Sequence, residues 1–134
     1  MKILVTGAGG FLGTHLVSKL KSQGHFVVGV DIKHNEFKES DADVFIIQDL
    51  SEQPGTNYVF KHFKFTECYN LSAVMGGMEF LANGKFDYQV LSESSLININ
   101  VIDAAIENAV KKIFFSSSAC IYNQKYQEQS NDVS

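Results

Sequence analysis

The sequence predicts an α/β fold, with a parallel sheet, helices on both faces and the strand order 3-2-1-4-5. Short apolar runs, the first being Ile3-Leu4-Val5, alternate with longer segments of helical spacing. A glycine-rich turn lies directly between that first run and the first helical segment. Asp31 ends the second apolar run, about 20 residues beyond the glycines. Alternating strands and helices joined by right-handed crossovers are typical of such sheets, so the expected fold is Rossmann-type.

The glycine turn has the sequence Thr6-Gly7-Ala8-Gly9-Gly10-Phe11-Leu12-Gly13. Gly7 permits a turn too tight for a Cβ, Gly10 lets the backbone approach a pyrophosphate, and Gly13 lets a helix lie against the strand. A helix predicted from Phe11 to Gln23 then presents its free N–H groups and its dipole to the anion. The context favours a dinucleotide site over a glycine turn without a ligand.

Asp31 follows the second predicted strand, Phe26 to Val30. A carboxylate at this position accepts hydrogen bonds from the hydroxyls of the adenosine ribose and repels a 2′-phosphate. The residue therefore favours NAD over NADP, although Lys33 and His34 lie close enough in sequence to weaken that preference.

A polar stretch from Lys33 to Asp43 predicts a loop, and Asp43 to Gln48 predicts the third strand. Asp49 and Leu50 follow, at a position beside the adenine ring in such a sheet. Asp49 can accept a hydrogen bond from the exocyclic amine while Leu50 packs on the ring. An ordinary loop acid is the alternative interpretation of Asp49.

The segment from Ser51 to Lys64 is ambiguous. Pro54-Gly55 predicts a turn, whereas Val59, Phe60 and Phe63 indicate a short helix.

Phe65 to Ala73 predicts the fourth strand, and its small final residues would let a cofactor lie across the strand end. Cys68 is expected to be a core thiol. The segment Val74 to Met78 places two glycines between two methionines, at the edge of the sheet where ligands bind.

The longest helix is predicted from Phe86 to Asn108, followed by a fifth strand at Ile113-Phe114-Phe115. Hydroxyls and a thiol then cluster from Ser116 to Tyr122, again on the ligand side of the sheet. The residues expected to line one helix face are Ile97, Val101, Ala105 and Ala109, with Ile102 and Ile106 alongside.

Composition excludes several classes of function. The 134 residues suffice for one domain with a core. A net charge of -4 without a basic face gives no support for nucleic-acid binding, and no apolar run approaches a membrane span. Cys68 and Cys120 lie far apart without metal-ligand spacing, so we expect no metal site and a reduced, cytoplasmic protein.

The chain resembles the extended short-chain dehydrogenase/reductase family of nucleotide-sugar epimerases and dehydratases. The segments Thr6 to Gly13, Asp31 and Phe115 to Tyr122 carry this resemblance. Within the family, Tyr69 to Met78 and Ser117 to Tyr122 are most similar to members that epimerise GDP-mannose at C3 and C5. The resemblance implies NAD as cofactor, a nucleotide sugar (GDP-mannose favoured) as substrate, and a homodimer in the full-length protein.

The resemblance also implies roles for individual residues. Ser118 would hydrogen-bond the reacting sugar oxygen, and Cys120 would act as acid/base on the sugar carbons after transient oxidation at C4 by NAD⁺. A buried structural thiol is the alternative for Cys120. The implied substrate contacts are Gly76, Ser118, Ala119 and Cys120. The implied cofactor contacts are Gly7, Gly10, Phe11, Leu12, Gly13, Asp31, Asp49, Leu50 and, on the nicotinamide side, Leu71.

The chain departs from the family pattern at several points. None of its five tyrosines has a lysine four places on, so the family's Tyr-x-x-x-Lys pair is missing. Ser94 stands where the family usually has asparagine, and Ser72 and Val74 stand where alanine and aspartate are common. We therefore expect the amino-terminal part of such an enzyme, inactive alone and without the carboxyl-terminal part of the fold. Residues 1–122 would form the NAD(P)-binding domain and 123–134 an exposed loop or tail.

Two alternatives stay open. The chain could be a non-catalytic NAD-binding module or remnant, which the missing Tyr-x-x-x-Lys pair favours and the presence of Ser118 and Cys120 opposes. It could also belong to another nucleotide-sugar epimerase or dehydratase of the same family.

Overall fold

The computed structural model describes residues 1–35, 38–74 and 87–117. Within them, parallel strands form a five-stranded sheet of order β3-β2-β1-β4-β5, which confirms the predicted order 3-2-1-4-5. The strands are β1 (Lys2–Thr6), β2 (Phe26–Asp31), β3 (Val44–Ile47), β4 (Glu67–Asn70) and β5 (Lys112–Phe115). The helices are α1 (Phe11–Ser22), α2 (Gln53–Phe63) and α3 (Asp87–Glu107).

A hydrophobic core lies on each face of the sheet, because successive residues of a strand point to opposite sides. Ile3 and Val5 of the central strand β1 pack with Val17 and Leu20 of α1. Leu4 of the same strand belongs to the other core, built with α2 and α3. Helices therefore cover both faces, and the apolar side chains of β1 are fully buried. No helix in the described part of the chain combines the length and apolarity needed to cross a membrane.

The helix α2 begins earlier than the sequence suggested. Pro54-Gly55 was predicted to form a turn, but both residues lie in the first turn of α2, so that prediction was wrong. Proline is well tolerated there because the N–H it lacks would have no partner within the helix. A Cβ on Gly55 would lie 2.0 Å from Nε2 of Gln48, so the glycine leaves room for that amide.

Strand β4 is shorter than predicted. It ends at Asn70 rather than Ala73. The N–H groups of Leu71 and Ser72 donate to Oγ1 of Thr6, at 3.2 and 3.3 Å, instead of extending the strand ladder. A side chain of β1 thus ends the neighbouring strand.

The carboxyl-terminal end of α3 also differs from the prediction. Ala109 lies beyond the helix with a φ of 54°, and its side chain is exposed rather than part of the buried face. The N–H groups of Ala109 and Val110 donate to Ile106 and Ala105 respectively, as in a helix that ends in a left-handed residue. Ile102 and Ile106 are likewise exposed, whereas Ile97, Val101 and Ala105 are buried as predicted.

Candidate functional site

A cavity of about 480 Å³ opens at the carboxyl ends of the strands. Its wall comes from the loops after β1, β2, β3 and β4 and from the first half of α3. It lies where the strand order reverses between β1 and β4, the position at which open α/β sheets bind ligands. The lining residues are Gly7, Gly10, Asp31, Ile32, Lys33, Gln48, Asp49, Leu50, Leu71, Ser72, Ala73, Val74, Gln89, Glu93 and Ile97.

The glycine turn after β1 has two glycines in the cavity wall. Gly7 has a φ of 65°, and a Cβ on it would lie 2.9 Å from the carbonyl carbon and oxygen of Leu71. A Cβ on Gly10 would approach only the carbonyl oxygen of Gly7, at 3.4 Å. Within the described part of the chain, the Cβ position of Gly10 is therefore open, and Gly10 itself lines the cavity.

Gly13 acts at a different contact from the one predicted. A Cβ on Gly13 would lie 2.1 Å from the carbonyl oxygen of Gly7 and 2.7 Å from Cα of Ala8. The helix thus packs closely on the glycine turn itself. Gly13 does not belong to the cavity wall, and neither do Phe11 and Leu12, whose side chains are exposed.

The amino-terminal end of α1 suits an anion. Gly10 is the N-cap, it supplies no side-chain cap, and the first turn contains no acidic residue. The first N–H groups of a helix have no acceptor within it, and the helix dipole favours negative charge at that end. Backbone groups rather than side chains therefore define this part of the site.

Two side chains to which the sequence assigned no role, Thr14 and Asn35, hold the glycine turn in place through hydrogen bonds. Thr14 donates from Oγ1 to the carbonyl oxygen of Gly10 at 2.8 Å. Asn35 donates from Nδ2 to Oγ1 of Thr14 at 2.7 Å and to the carbonyl oxygen of Ala8 at 3.3 Å. Threonine and asparagine are common in helices and loops, so neither residue carried a usable signal in the sequence.

The carboxylate of Asp31 faces the glycine turn at the edge of the cavity. Its Oδ2 accepts a hydrogen bond from the N–H of Gly9 at 2.8 Å, and its Oδ1 accepts one from Ile32 at 2.8 Å. Each carboxylate oxygen has two acceptor positions. These backbone contacts fix the orientation of the carboxylate and leave it able to accept further hydrogen bonds.

Asp49 and Leu50 both line the cavity, on the loop after β3. Oδ1 of Asp49 accepts hydrogen bonds from the N–H and the hydroxyl of Ser51, at 2.8 and 2.7 Å. Leu50 is only 3% exposed and belongs to the core shared with α2 and α3. This loop is therefore ordered by its own contacts.

A buried hydrogen-bond network orders the wall after β4. Thr6 donates from Oγ1 to Oδ1 of Asn70 at 2.7 Å, and Asn70 donates from Nδ2 to Oδ1 of Asn98 on α3 at 2.9 Å. Further along, the N–H of Val74 donates to Oγ of Ser94 at 3.1 Å. The segment 71–74, which includes Leu71, is thus held between β1 and α3.

Charged residues in the cavity wall are mostly acidic. Among the lining residues that the structure describes, Asp31, Asp49 and Glu93 contribute carboxylates, and Lys33 contributes the single ammonium group. Glu93 and Gln89 enter from α3 and were not predicted, because the apolar periodicity of that helix gave them no role. An anion bound here depends on the backbone N–H groups of the glycine turn more than on side-chain charge.

Cys68 lies away from the cavity wall and is buried in β4. Burial raises the pKa of its thiol to about 12, so the thiolate is disfavoured at neutral pH. The predicted core role of Cys68 agrees with this position. Among the described residues, no three His, Cys, Asp or Glu side chains form a group that could hold a metal ion.

Four predicted site residues lie outside the described residues, namely Gly76, Ser118, Ala119 and Cys120. Their proposed roles rest on the sequence. Six of the nine predicted cofactor residues do share the cavity wall: Gly7, Gly10, Asp31, Asp49, Leu50 and Leu71.

The open parallel sheet, with a glycine turn and a cavity at its reversal point, defines an α/β nucleotide-binding domain. The profile of the NAD-dependent epimerase/dehydratase family matches residues 3–134, and the chain belongs to that family. NAD is the cofactor of this family, as the sequence resemblance implied.

Named relatives agree with this assignment. GDP-mannose 3,5-epimerase of Arabidopsis thaliana is 36% identical over 140 residues, covering 100% of this chain and 35% of that protein. GDP-mannose 3,5-epimerase 1 of Oryza sativa subsp. indica is 35% identical, covering 98% of this chain and 34% of that protein. The chain therefore spans about a third of the length of these relatives.

A solved structure shows the same fold. The crystal structure of Thermus thermophilus UDP-glucose 4-epimerase in complex with NAD matches with a TM-score of 0.74 and 27% sequence identity. The match covers 88% of this chain and 38% of that one.

The residues of the cavity fit NAD. The open face of Gly10 gives a pyrophosphate access to the helix end, and Asp31 offers acceptors for a ribose diol. The acidic wall opposes an additional phosphate on that ribose.

Proposed function

We propose that this chain supplies the NAD-binding part of a cytoplasmic nucleotide-sugar epimerase that converts GDP-mannose to a GDP-galactose-type product. The single observation that carries the proposal is the cavity wall, which brings together the open face of Gly10, the carboxylate of Asp31 and the loop that contains Leu71. Similarity to two plant GDP-mannose 3,5-epimerases favours GDP-mannose over UDP-glucose as the substrate.

The chemistry divides between the cofactor and the protein. NAD bound in the cavity supplies reversible hydride transfer at C4 of the sugar, and a ketone at C4 acidifies the protons on C3 and C5. In the proposed assignment, Ser118 hydrogen-bonds the reacting sugar oxygen. Inversion requires an acid/base pair that removes a proton from a carbon on one face of the sugar and returns a proton on the opposite face, and Cys120 serves as one member of that pair. Gly76 and Ala119 contact the sugar.

The proposed homodimer rests on the outward face of α3. That face exposes Leu91, Ile99, Ile102 and Ile106, all large apolar side chains on one long helix. Exposed apolar patches of this kind often mark a protein interface.

Replacing Asp31 with asparagine is expected to change cofactor preference. The neutral amide no longer repels a 2′-phosphate, and it cannot accept hydrogen bonds through both side-chain atoms as the carboxylate does toward Gly9 and Ile32. We expect NAD⁺ to bind about tenfold more weakly while the ratio of NADP⁺ to NAD⁺ affinity rises, as measured by isothermal titration calorimetry.

Asp49→Asn is the matched control, because it neutralises a second carboxylate of the same cavity wall. We expect this variant to lower the affinities for NAD⁺ and NADP⁺ by the same factor. If Asp31→Asn leaves the ratio of NADP⁺ to NAD⁺ affinity unchanged, Asp31 does not discriminate between the two cofactors.

The experiment that tests the proposed reaction follows solvent deuterium into GDP-mannose. The assay uses a polypeptide that contains both this chain and a region with the family's Tyr-x-x-x-Lys pair. Label is expected at C3 and C5 with the unchanged protein. Cys120→Ala is expected to slow label entry at one of these carbons at least about 100-fold, the usual contribution of a general acid or base.

Cys68→Ala is the matched control, since Cys68 is the other cysteine of the chain and is buried in the sheet. We expect this variant to be less stable. Its rate of deuterium exchange into the sugar, expressed per folded molecule, should equal that of the unchanged protein. Equal exchange rates in Cys120→Ala and the unchanged protein would contradict the acid/base role. Inversion at C4 of a UDP-sugar, without exchange at C3 or C5, would assign the chain to a different epimerase.

A further inference from the structure

Asn100 is a buried amide in the middle of the longest helix. It lies in α3 between Ile99 and Val101 and is 6% exposed. Asparagine is disfavoured in helix interiors because its side chain competes for backbone hydrogen bonds. A buried amide also requires partners, since an unpaired polar group is costly inside a protein. The position therefore demands an explanation beyond helix formation.

Both N–H groups of the Asn100 side-chain amide donate hydrogen bonds to one loop that is distant in sequence. Nδ2 donates to the carbonyl oxygen of Leu50 at 3.0 Å and to that of Ser51 at 2.8 Å. These carbonyls lie about fifty positions earlier in the chain, on the loop between β3 and α2. One side chain of α3 thus fixes two consecutive carbonyl groups of the loop whose Asp49 and Leu50 line the cavity.

The two carbonyls are not equally dependent on Asn100. The carbonyl of Leu50 also accepts a hydrogen bond from Oγ1 of Thr56, at 3.0 Å. Ser51 lies two residues after Asp49, whose Oδ1 accepts hydrogen bonds from the N–H and hydroxyl of Ser51. Asn100 therefore connects α3 to the loop segment that carries Asp49 and Leu50.

We propose that Asn100 is a positioning residue for the adenine half of the dinucleotide. It acts through the loop carrying Asp49 and Leu50 and does not belong to the cavity wall. This inference rests on the proposed function, because Asp49 and Leu50 are the proposed adenine contacts. The nicotinamide side depends on other contacts of α3, through Asn98 and Ser94, so the two halves of the cavity can be disturbed separately.

The test measures AMP, nicotinamide mononucleotide and NAD⁺ binding to the protein by calorimetry. Asn100→Leu removes both hydrogen bonds with little change in volume. We expect it to raise the Kd of AMP and of NAD⁺ by the same factor, about tenfold, and to leave that of nicotinamide mononucleotide unchanged. Asn100→Ser keeps a shorter donor and is expected to give a smaller loss, and it carries the test if Asn100→Leu does not fold.

Val101→Ala is the matched control. Val101 is the next residue of α3, is fully buried in the same core and makes no contact with the loop through a polar group. We expect it to lower the Tm without changing AMP affinity at temperatures where the protein is folded. Amide hydrogen exchange gives a second readout, because residues 50–52 should exchange faster in both Asn100 variants but not in Val101→Ala.

The outcomes separate the two ideas. An AMP affinity in both Asn100 variants equal to that of Val101→Ala would overturn the positioning role, as would an equal loss for nicotinamide mononucleotide. Failure of the unchanged protein to bind both AMP and NAD⁺ would overturn the proposed function together with this inference. Binding of both by the unchanged protein, with no effect of Asn100, would overturn this inference alone.

Discussion

Gly10→Val is expected to abolish NAD⁺ binding while the protein still folds. Gly10 has a φ of −75° and a ψ of 173°, an extended conformation that any residue adopts. Among the described residues, a Cβ there would approach only the carbonyl oxygen of Gly7, at 3.4 Å, so there is room for the branch point of a valine side chain. That room is the space through which a pyrophosphate would reach the N–H groups of α1.

The expected loss of NAD⁺ affinity for Gly10→Val is at least about 100-fold by calorimetry, because the side chain and the phosphate compete for one volume. The unfolding free energy should fall by no more than about 1 kcal/mol, the scale of a changed N-cap residue. Gly24→Ala is the control, since Gly24 lies beyond α1 with nothing within 4 Å of its Cβ position. An affinity of Gly10→Val within about threefold of the unchanged protein would exclude a phosphate at this position.

Gly13→Ala is expected to lower the stability of the fold, whereas Gly10→Val lowers mainly the affinity for NAD⁺. The added Cβ would lie 2.1 Å from the carbonyl oxygen of Gly7 and 2.7 Å from Cα of Ala8. Both are backbone atoms, so no side-chain rotation relieves the overlap. In an ordinary helix interior, replacing glycine by alanine stabilises by about 1 kcal/mol. Here we expect a loss of about 3 kcal/mol, because α1 must move away from the turn.

Chemical denaturation measures the stability of Gly13→Ala against that of Gly24→Ala. Both variants carry the same substitution. Gly24 has a φ of 80°, so alanine is strained there by about 1–2 kcal/mol without any steric overlap. A Gly13→Ala protein no less stable than Gly24→Ala would show that the close contact between helix and turn is dispensable.

The sequence predicted the order of the sheet because its signals are local. The apolar runs of β1, β2 and β3 and the glycines at α1 are each visible within their own segment, and the order 3-2-1-4-5 is the one typical of dinucleotide-binding sheets with this pattern. Asp31 could be predicted for the same reason, since the end of a strand and the spacing from the glycine turn are both visible in the sequence.

The differences arise where a distant side chain decides the local structure. Strand β4 ends at Asn70 because Thr6, about 65 positions earlier, takes the next two N–H groups. The start of α2 was misread because Pro54 is compatible with both a turn and the first turn of a helix. Glu93 reaches the cavity from α3 only because the sheet brings that helix to the edge of the site. Contacts between distant residues leave no periodicity or motif in the sequence from which they could be predicted.

The hydrogen bond from Gly9 to Asp31 has a kinetic consequence. The hydrogen bond joins the glycine turn directly to Asp31, the proposed ribose contact, and so holds the phosphate and ribose positions in a fixed relation to each other. Little ordering then accompanies association, and the on-rate depends mainly on diffusion and orientation. Differences between cofactors at this site should consequently appear in residence time, with NAD⁺ dissociating more slowly than NADP⁺ while the two associate at similar rates.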